Sequence, residues 1–353
     1  MSNILEKIFE LKELERNLFF DKMESENKIP EFLIVLKDAD NKSRELFLKG
    51  APEPTRVWLE QQMEEISEMG DDEIISAKTN LLALFDGLDK LAKKFDENKE
   101  KYKKLIKDRR HAMKAGSEVS FDGVSDQMRG IEIPPIQKDY DKNAEIIDLP
   151  KYNKMDLKKS NIMDCFNDRK SRRAFLEEYL SLEELSYLLW VTQGIRWISK
   201  DGKHNLRTVP SGGARHPFET YLAVNRVNNL KKGIYRYLPV EHKLLFLFTN
   251  EKLPENLKKL AANQVFVGKS AVCFIWSTIP YRMEWRYTLS ARKDILIEAG
   301  HVCQNLYLAC ESIMCGTCAI AAYNQREIDK FLNLDGEDEF VVYLAPVGRV
   351  KEI

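Results

Sequence analysis

"TVPSGGARHPFETYLAVNRV", Thr208 to Val227, changes character half-way. Two prolines enclose the first half, a bend holding Ser211, Gly212, Gly213, Arg215 and His216. The second half, "ETYLAVNRV", reads as a strand of β-branched and aromatic residues. The bend matches neither common phosphate loop. No Lys-Ser/Thr follows the glycines, as a Walker loop requires, and no third glycine completes Gly-x-Gly-x-x-Gly. Bare backbone amides and positive charge are nevertheless packed into one short turn.

Downstream, "GIYRYLPV", "KLLFLFT", "AVCFIWST" and "EFVVYLAP" read as further strands, with "KKGI" and "VEHK" as turns between them. Upstream, "SLEELSYLLW" opens with Ser181 and Glu184 in capping-box spacing before apolar residues at helical intervals. "ARKDILIEAGHVCQNLYLACESI" is apolar nearly all round, which predicts a long buried helix. Hairpin strands followed by a buried helix indicate an α+β fold.

The first 115 or so residues differ in kind. They are charge-rich and helical in pattern, and one short apolar run, "EFLIVL", looks strand-like. From Asp72 to Arg110 the apolar residues follow a heptad, with Leu81, Leu88, Phe95 and Tyr102 on one track and Leu84, Leu91 and Leu105 on the other. Asn98 interrupts the second track. The pattern predicts one long amphipathic helix, packed in a small bundle or free to dock a partner. "KAGSEVSFDGVSDQMRGIEIPP" then supplies a linker. The organisation expected is a helical region over 1–115, a linker over 116–135 and a second domain over 136–353.

At 353 residues the chain is long enough for two domains, and 44% hydrophobic content suffices for packed cores. A net charge of −1 argues against a dedicated nucleic-acid binder. No apolar run reaches bilayer length, and the acidic start lacks a signal-peptide core, so a soluble, cytoplasmic protein with no membrane partner is expected. Six cysteines are no disulfide framework. Cys303, Cys310, Cys315 and Cys318 crowd together without paired Cys-x-x-Cys spacing, and small buried thiols explain them better than a metal or a redox pair.

Basic side chains recur in two other places. "DRKSRRAF" sets Arg169, Lys170, Arg172 and Arg173 around Ser171, and "APVGRV" places Arg349 after the last strand. Arginines beside a small hydroxyl at an element terminus suit a phosphate monoester. In order and spacing these segments resemble the nitroreductase superfamily, and more narrowly its SagB-type dehydrogenase branch. "DRKSRRAF" looks like the family's Arg-x-Ser-x-Arg element, the opening stretch like its Pro-Ser-x-Gly loop and strands, and "WRYTLSARKDILIEAGHVCQNLYLACESIMCGTCAIAAY" like its central helix and following loop. The likeness covers roughly residues 121–353.

That resemblance implies an FMN-binding fold with a mostly antiparallel central sheet flanked by helices, working as a homodimer with flavin at the subunit interface. Position by position, Arg169, Lys170, Ser171 and Arg173 would hold the ribityl chain, phosphate and pyrimidine edge. Pro210, Ser211, Gly212 and Gly213 would lie along the ring, where absent side chains permit close approach. Gly316 to Ala321 would approach from the other side, and Arg349 would complete the phosphate site. NAD(P)H would reduce the flavin, and a small organic or peptide acceptor would reoxidise it. A peptide-modifying enzyme of azoline type and a non-enzymatic scaffold are the rival readings.

Two departures from the family pattern stand out. Met314-Cys315-Gly316 replaces Gly-Leu-Gly, which implies a reshaped start to the loop. Arg286-Tyr287 replaces the Lys-Tyr pair of azoline dehydrogenases. These two are the candidate catalytic residues, yet arginine keeps its proton and serves poorly as a base. Arg286 is better suited to clamp an anion, while Tyr287 retains a phenolic proton to donate.

Overall fold

A computed structural model describes residues 4–26, 28–51, 53–64, 66, 69–114 and 124–351. The chain divides into two compact units, Met1–His111 and Ala112–Ile353.

The first unit is helical among the described residues. It comprises α1 (Ile4–Glu10), α2 (Glu13–Ser25), α3 (Ile29–Asp38), α4 (Asn41–Gly50), α5 (Glu53–Glu64), α6 (Asp71–Ala83) and α7 (Leu88–Arg109). "EFLIVL" is not a strand. It lies in α3, where Pro30 occupies the first turn and Phe32, Leu33, Val35 and Leu36 are buried on one side. So short an apolar run has no decisive period of its own, and the proline suits a helix start. The heptad helix is also corrected: α6 and α7 are separate, broken where Gly87 takes φ +79. Leu81, Leu84 and Leu88 are buried in the bundle, whereas Phe95, Tyr102, Leu105 and Ile106 are 42–56% exposed.

In the second unit a seven-stranded sheet is ordered β1-β6-β5-β4-β7-β9-β8. The strands are β1 (Ile146–Asp148), β4 (Phe218–Val224), β5 (Gly233–Leu238), β6 (Lys243–Thr249), β7 (Val272–Thr278), β8 (Cys315–Thr317) and β9 (Phe340–Arg349), and a separate hairpin joins β2 (Ile195–Ile198) to β3 (Asn205–Arg207). Every named pairing is antiparallel. The helices are α8 (Ile162–Asp168), α9 (Leu182–Gln193), α10 (Leu253–Leu260), α11 (Val265–Gly268), α12 (Tyr281–Tyr287), α13 (Ala291–Ser312) and α14 (Gln325–Phe331).

Strand periodicity explains the layering, since successive side chains point to opposite faces. From β7, Val272, Phe274 and Trp276 pack with α9 and α13, while Cys273 and Ile275 pack with α10, α11 and α14. Strand β4 alternates in the same way, with Phe218, Leu222 and Val224 on the first face and Tyr221 and Ala223 on the second. Both central strands are therefore buried along their whole length, as a sheet covered on two sides requires.

Two expectations on this unit change. Residues 116–123 of the proposed linker lie outside the described residues, but 124–135 are not a free connector. Gln127 N–H donates to the Trp285 carbonyl (2.9 Å), Trp285 Nε1 to the Ile131 carbonyl (2.9 Å) and the Tyr281 hydroxyl to Asp126 (2.9 Å). The long helix α13 is buried on one side only, for Leu296 and Ile297 are 63% and 48% exposed.

Candidate functional site

The Pro210–Gly213 bend is held from several directions. Gly213 (φ +57), Ala214 (φ +55) and His216 (φ +49) all sit in the left-handed region, where non-glycine residues are strained. The constraints are visible. Ser211 Oγ accepts the His216 N–H (2.9 Å), and Gly212 N–H donates to Glu298 Oε1 (2.6 Å). Arg215 is buried, donates to the Arg282 carbonyl (2.9 Å) and lies over the Trp285 ring at 5.1 Å. His216 is buried as well. Burial, then Arg207 and Arg215, push its imidazole down to about 2, so it stays neutral. Arg215 and His216 are buried behind the loop and do not face solvent.

The front of the bend is an open cleft of about 330 Å³ lined by Pro210, Ser211, Gly212, Tyr287, Asp294, Ile297, Glu298 and His301. Arg286 lies against Tyr287, its guanidinium 5.4 Å from the ring centre. A Cβ on Gly213 would come within 2.7 Å of the Tyr287 hydroxyl and 3.1 Å of Arg286. The candidate pair Arg286-Tyr287 therefore does meet the glycine bend. Glu298 is the residue that sequence reading missed here. It is 5% exposed, and burial, the largest effect, raises its carboxyl to about 7. An acid inside the apolar run "DILIEAGHV" was the available signal.

The side chains of the basic segment at 169–173 take separate directions. Ser171 bridges to Thr317, and Arg172 turns inward to make a two-pronged contact with Glu311 (3.1 and 3.0 Å). Arg169 lies over the Tyr307 ring at 5.3 Å, while the exposed Ser171 hydroxyl is 3.0 Å from the Tyr307 hydroxyl. Tyr307 Oη also accepts the Ala319 N–H (2.8 Å), so one phenol ties this segment to the loop running to Ala321, which is exposed. Sequence reading missed Tyr307, whose partners are remote in the chain. Arg169 and Lys170 border a cavity of about 490 Å³ with Lys159, Arg172, Glu311 and Lys351. Arg173 lies apart, over Phe266.

Arg349 and Gly316 behave differently from expectation. Arg349 gives Nη2 to both oxygens of Glu184 (2.7 and 2.8 Å) and Nη1 to the Ile313 carbonyl (2.8 Å). Its donors tie β9 to α9, where Glu184 also completes the capping box with Ser181. Gly316 is buried, and a Cβ there would strike Arg172 and Val350 at 2.5–2.7 Å. Its bareness admits the protein's own Arg172. Met314, which stands where the family has glycine, holds φ +57, a conformation glycine favours. Cys303 and Cys315 are buried and pushed up to about 12, so they are inert as nucleophiles.

Helix α13 carries both groups of residues on different flanks. Glu298 and Tyr307 are nine positions apart, which at 3.6 residues per turn is about two and a half turns, or roughly 13 Å of rise with opposite orientation. The glycine bend meets one flank and the Arg169–Ser171 segment the other.

Residues 167–349, just over half the chain, match the family model described as the nitroreductase family. The chain belongs to the nitroreductase family. A nitroreductase homologue from Methanocaldococcus jannaschii is 29% identical over 194 residues, 55% of this chain and 93% of its own. Among solved structures, a nitroreductase-type protein from Ralstonia eutropha is 26% identical, with a TM-score of 0.49 over 62% of this chain and 99% of its own. The Escherichia coli microcin synthetase complex with its truncated precursor bound gives 19% and 0.44, over 70% and 92%. As a nitroreductase-family protein the chain is an oxidoreductase, and the scaffold reading falls away. No helix among the described residues is long and apolar enough to cross a membrane.

Proposed function

We propose that this nitroreductase-family oxidoreductase binds FMN between the subunits of a homodimer, takes electrons from NAD(P)H and passes them to an organic acceptor. The observation that carries the reading is the division of its site residues across α13. A single ring cannot touch both flanks of one helix, but a two-fold dimer brings one flank of each copy beside the opposite flank of its partner. Exposed Leu296 and Ile297 beside the cleft give such an interface an apolar surface.

The residues fit the cofactor. Among the described residues no carboxylate forms an ion pair with Arg169 or Lys170, and both border a cavity richer in cations than in acids. With the Ser171 hydroxyl they would hold the phosphate and ribityl chain. Gly212 and Gly213 would admit the ring, because a side chain at either position would project toward Tyr287. Bound there, FMN would supply hydride acceptance and donation, and the protein would supply position, charge and exclusion of water. Arg286, permanently charged, would orient an anionic group of NAD(P)H or acceptor beside Tyr287. Arg349 would steady the element rather than touch phosphate, since Glu184 already occupies it.

Purified protein should be yellow, with absorbance near about 450 nm, the usual region for oxidised flavin. Arg169→Ala should release FMN on gel filtration while leaving the fold intact by circular dichroism. A variant that keeps full stoichiometry would remove Arg169 from the site.

A peptide acceptor is the second reading. It is favoured by a pocket of about 430 Å³ in the first unit, lined by Phe9, Phe20, Phe32, Phe47 and Trp58 with Arg16. An apolar cavity of that size suits a hydrophobic side chain. Phe32→Ala should then raise KM for a peptide acceptor and leave a small nitroarene unaffected.

A further inference from the structure

Reduction of an organic acceptor by two electrons also consumes a proton. Arg286 does not give up its proton, and a phenol, with an ordinary pKa of about 10, is a weaker acid than a carboxyl. The other ionisable groups of the cleft are Asp294, His301 and Glu298. Asp294 is half-buried and His301 exposed. Glu298 alone is sheltered and also fixed in place, its Oε1 receiving Gly212 N–H at 2.6 Å from the bend that would face the ring.

We propose that Glu298 is the proton-exchanging residue of this cleft, donating the proton that accompanies reduction of the acceptor. The inference rests on the flavin reading above. In the balanced step an acceptor double bond gains a hydride at one atom, from flavin already reduced by NAD(P)H, and a proton at the other, from the Glu298 carboxyl. The flavin is left oxidised, and the carboxylate recovers its proton from water through the open cleft.

Its surroundings suit the task. Burial is the main influence and favours the neutral acid. Gly212 N–H and the Ser211 hydroxyl favour the carboxylate, Asp294 on the same helix opposes it, and Arg207 from β3 assists it. From α12, Tyr287 and Arg286 complete the facing groups. The balance leaves the carboxyl near 7. An acid close to working pH is both present in its protonated form and ready to give the proton up.

Two variants of the full-length protein test this. In Glu298→Gln the amide oxygen can still accept Gly212 N–H, so the bend and FMN affinity should hold within about threefold while acceptor reduction falls about 100-fold or more. The wild-type rate of flavin reoxidation should decline as pH rises through about 7, and the variant should lose that limb. Difference infrared on unloaded protein should show a protonated carboxyl band disappearing near the same pH, absent in the variant. Glu298→Ala serves as the control that removes the loop contact as well. A flat wild-type profile, an unchanged rate in Glu298→Gln, or no titrating carboxyl band would overturn the assignment while leaving the flavin site standing. Damage confined to Glu298→Ala would reduce Glu298 to a positioning residue and equally overturn it. Failure of the wild type to bind FMN would instead remove the site itself, and this inference with it.

Discussion

Glu219 and Arg282 face each other at 2.6 Å, each side chain only 2% exposed. Glu219 also accepts the Lys138 N–H (2.9 Å), so the pair joins β4 and α12 to the segment before β1. Burial alone would raise the Glu219 carboxyl. Arg282, Arg236 and these hydrogen bonds outweigh it and hold the group below its ordinary 4.5. A depressed folded value stabilises above the unfolded value and is lost as pH falls through the folded one. Glu219→Ala leaves Arg282 charged and buried alone, which should cost about 3–5 kcal/mol in denaturant unfolding at pH 7. The difference between the two proteins should narrow as pH falls below the ordinary 4.5 and through the lowered folded value. At Gly213 the constraint is steric. Gly213→Ala adds a Cβ at φ +57, 2.7 Å from the Tyr287 hydroxyl, and should lower FMN affinity with a stability loss of about 1–3 kcal/mol.

At the scale of elements, α6 and α7 show how far a heptad can be trusted. Its repeat specifies an apolar stripe, but not what covers it. Leu81 is fully buried, so Leu81→Ala should cost about 2–5 kcal/mol in thermal or chemical unfolding. Leu105 continues the same repeat at 42% exposure, and Leu105→Ser should stay within about 0.5 kcal/mol. Equal effects at both positions would mean that the distal stripe is covered in solution. The break at Gly87 arises because φ +79 lies outside the helical region, and the preceding turn closes from Leu84 to Asp86 before α7 begins.

For the whole molecule the central question is whether the two flanks of α13 serve one cofactor or two. If the site is composite, co-expression of Arg169→Ala with Gly213→Ala makes mixed dimers holding one intact site and one doubly defective site. Such dimers, separated by differential tags, should bind about one FMN per pair, whereas either variant alone should bind little. No FMN in the mixed dimer would show that both sets act within one chain. Recovery is expected because a two-fold interface places one flank of each copy against the other flank of its partner.

Local chemistry was enough to read much of this protein. Runs of β-branched and aromatic residues bounded by turns identified the strands from Glu219 to Pro346, Ser181 and Glu184 announced the start of α9, and the bend at Pro210–Gly213 was evident from its glycines. The change in composition put the end of the helical region near residue 115, whereas the compact units divide between His111 and Ala112, and the second half of the linker read over 116–135 is packed structure. What sequence left open depends on contacts between distant segments. "EFLIVL" has no period of its own to distinguish strand from helix, and only packing in a helical bundle resolved it. Glu298 and Tyr307 acquire their surroundings from Gly212 and Ser171, 86 and 136 positions away in the chain. The same holds for Arg349, whose charge invites a phosphate until Glu184, 165 positions away, is seen to hold it. Residue type and spacing determined the elements and the family. Tertiary structure decided which charges are already paired and which remain for a ligand, because pairing depends on distances that separation along a chain does not encode.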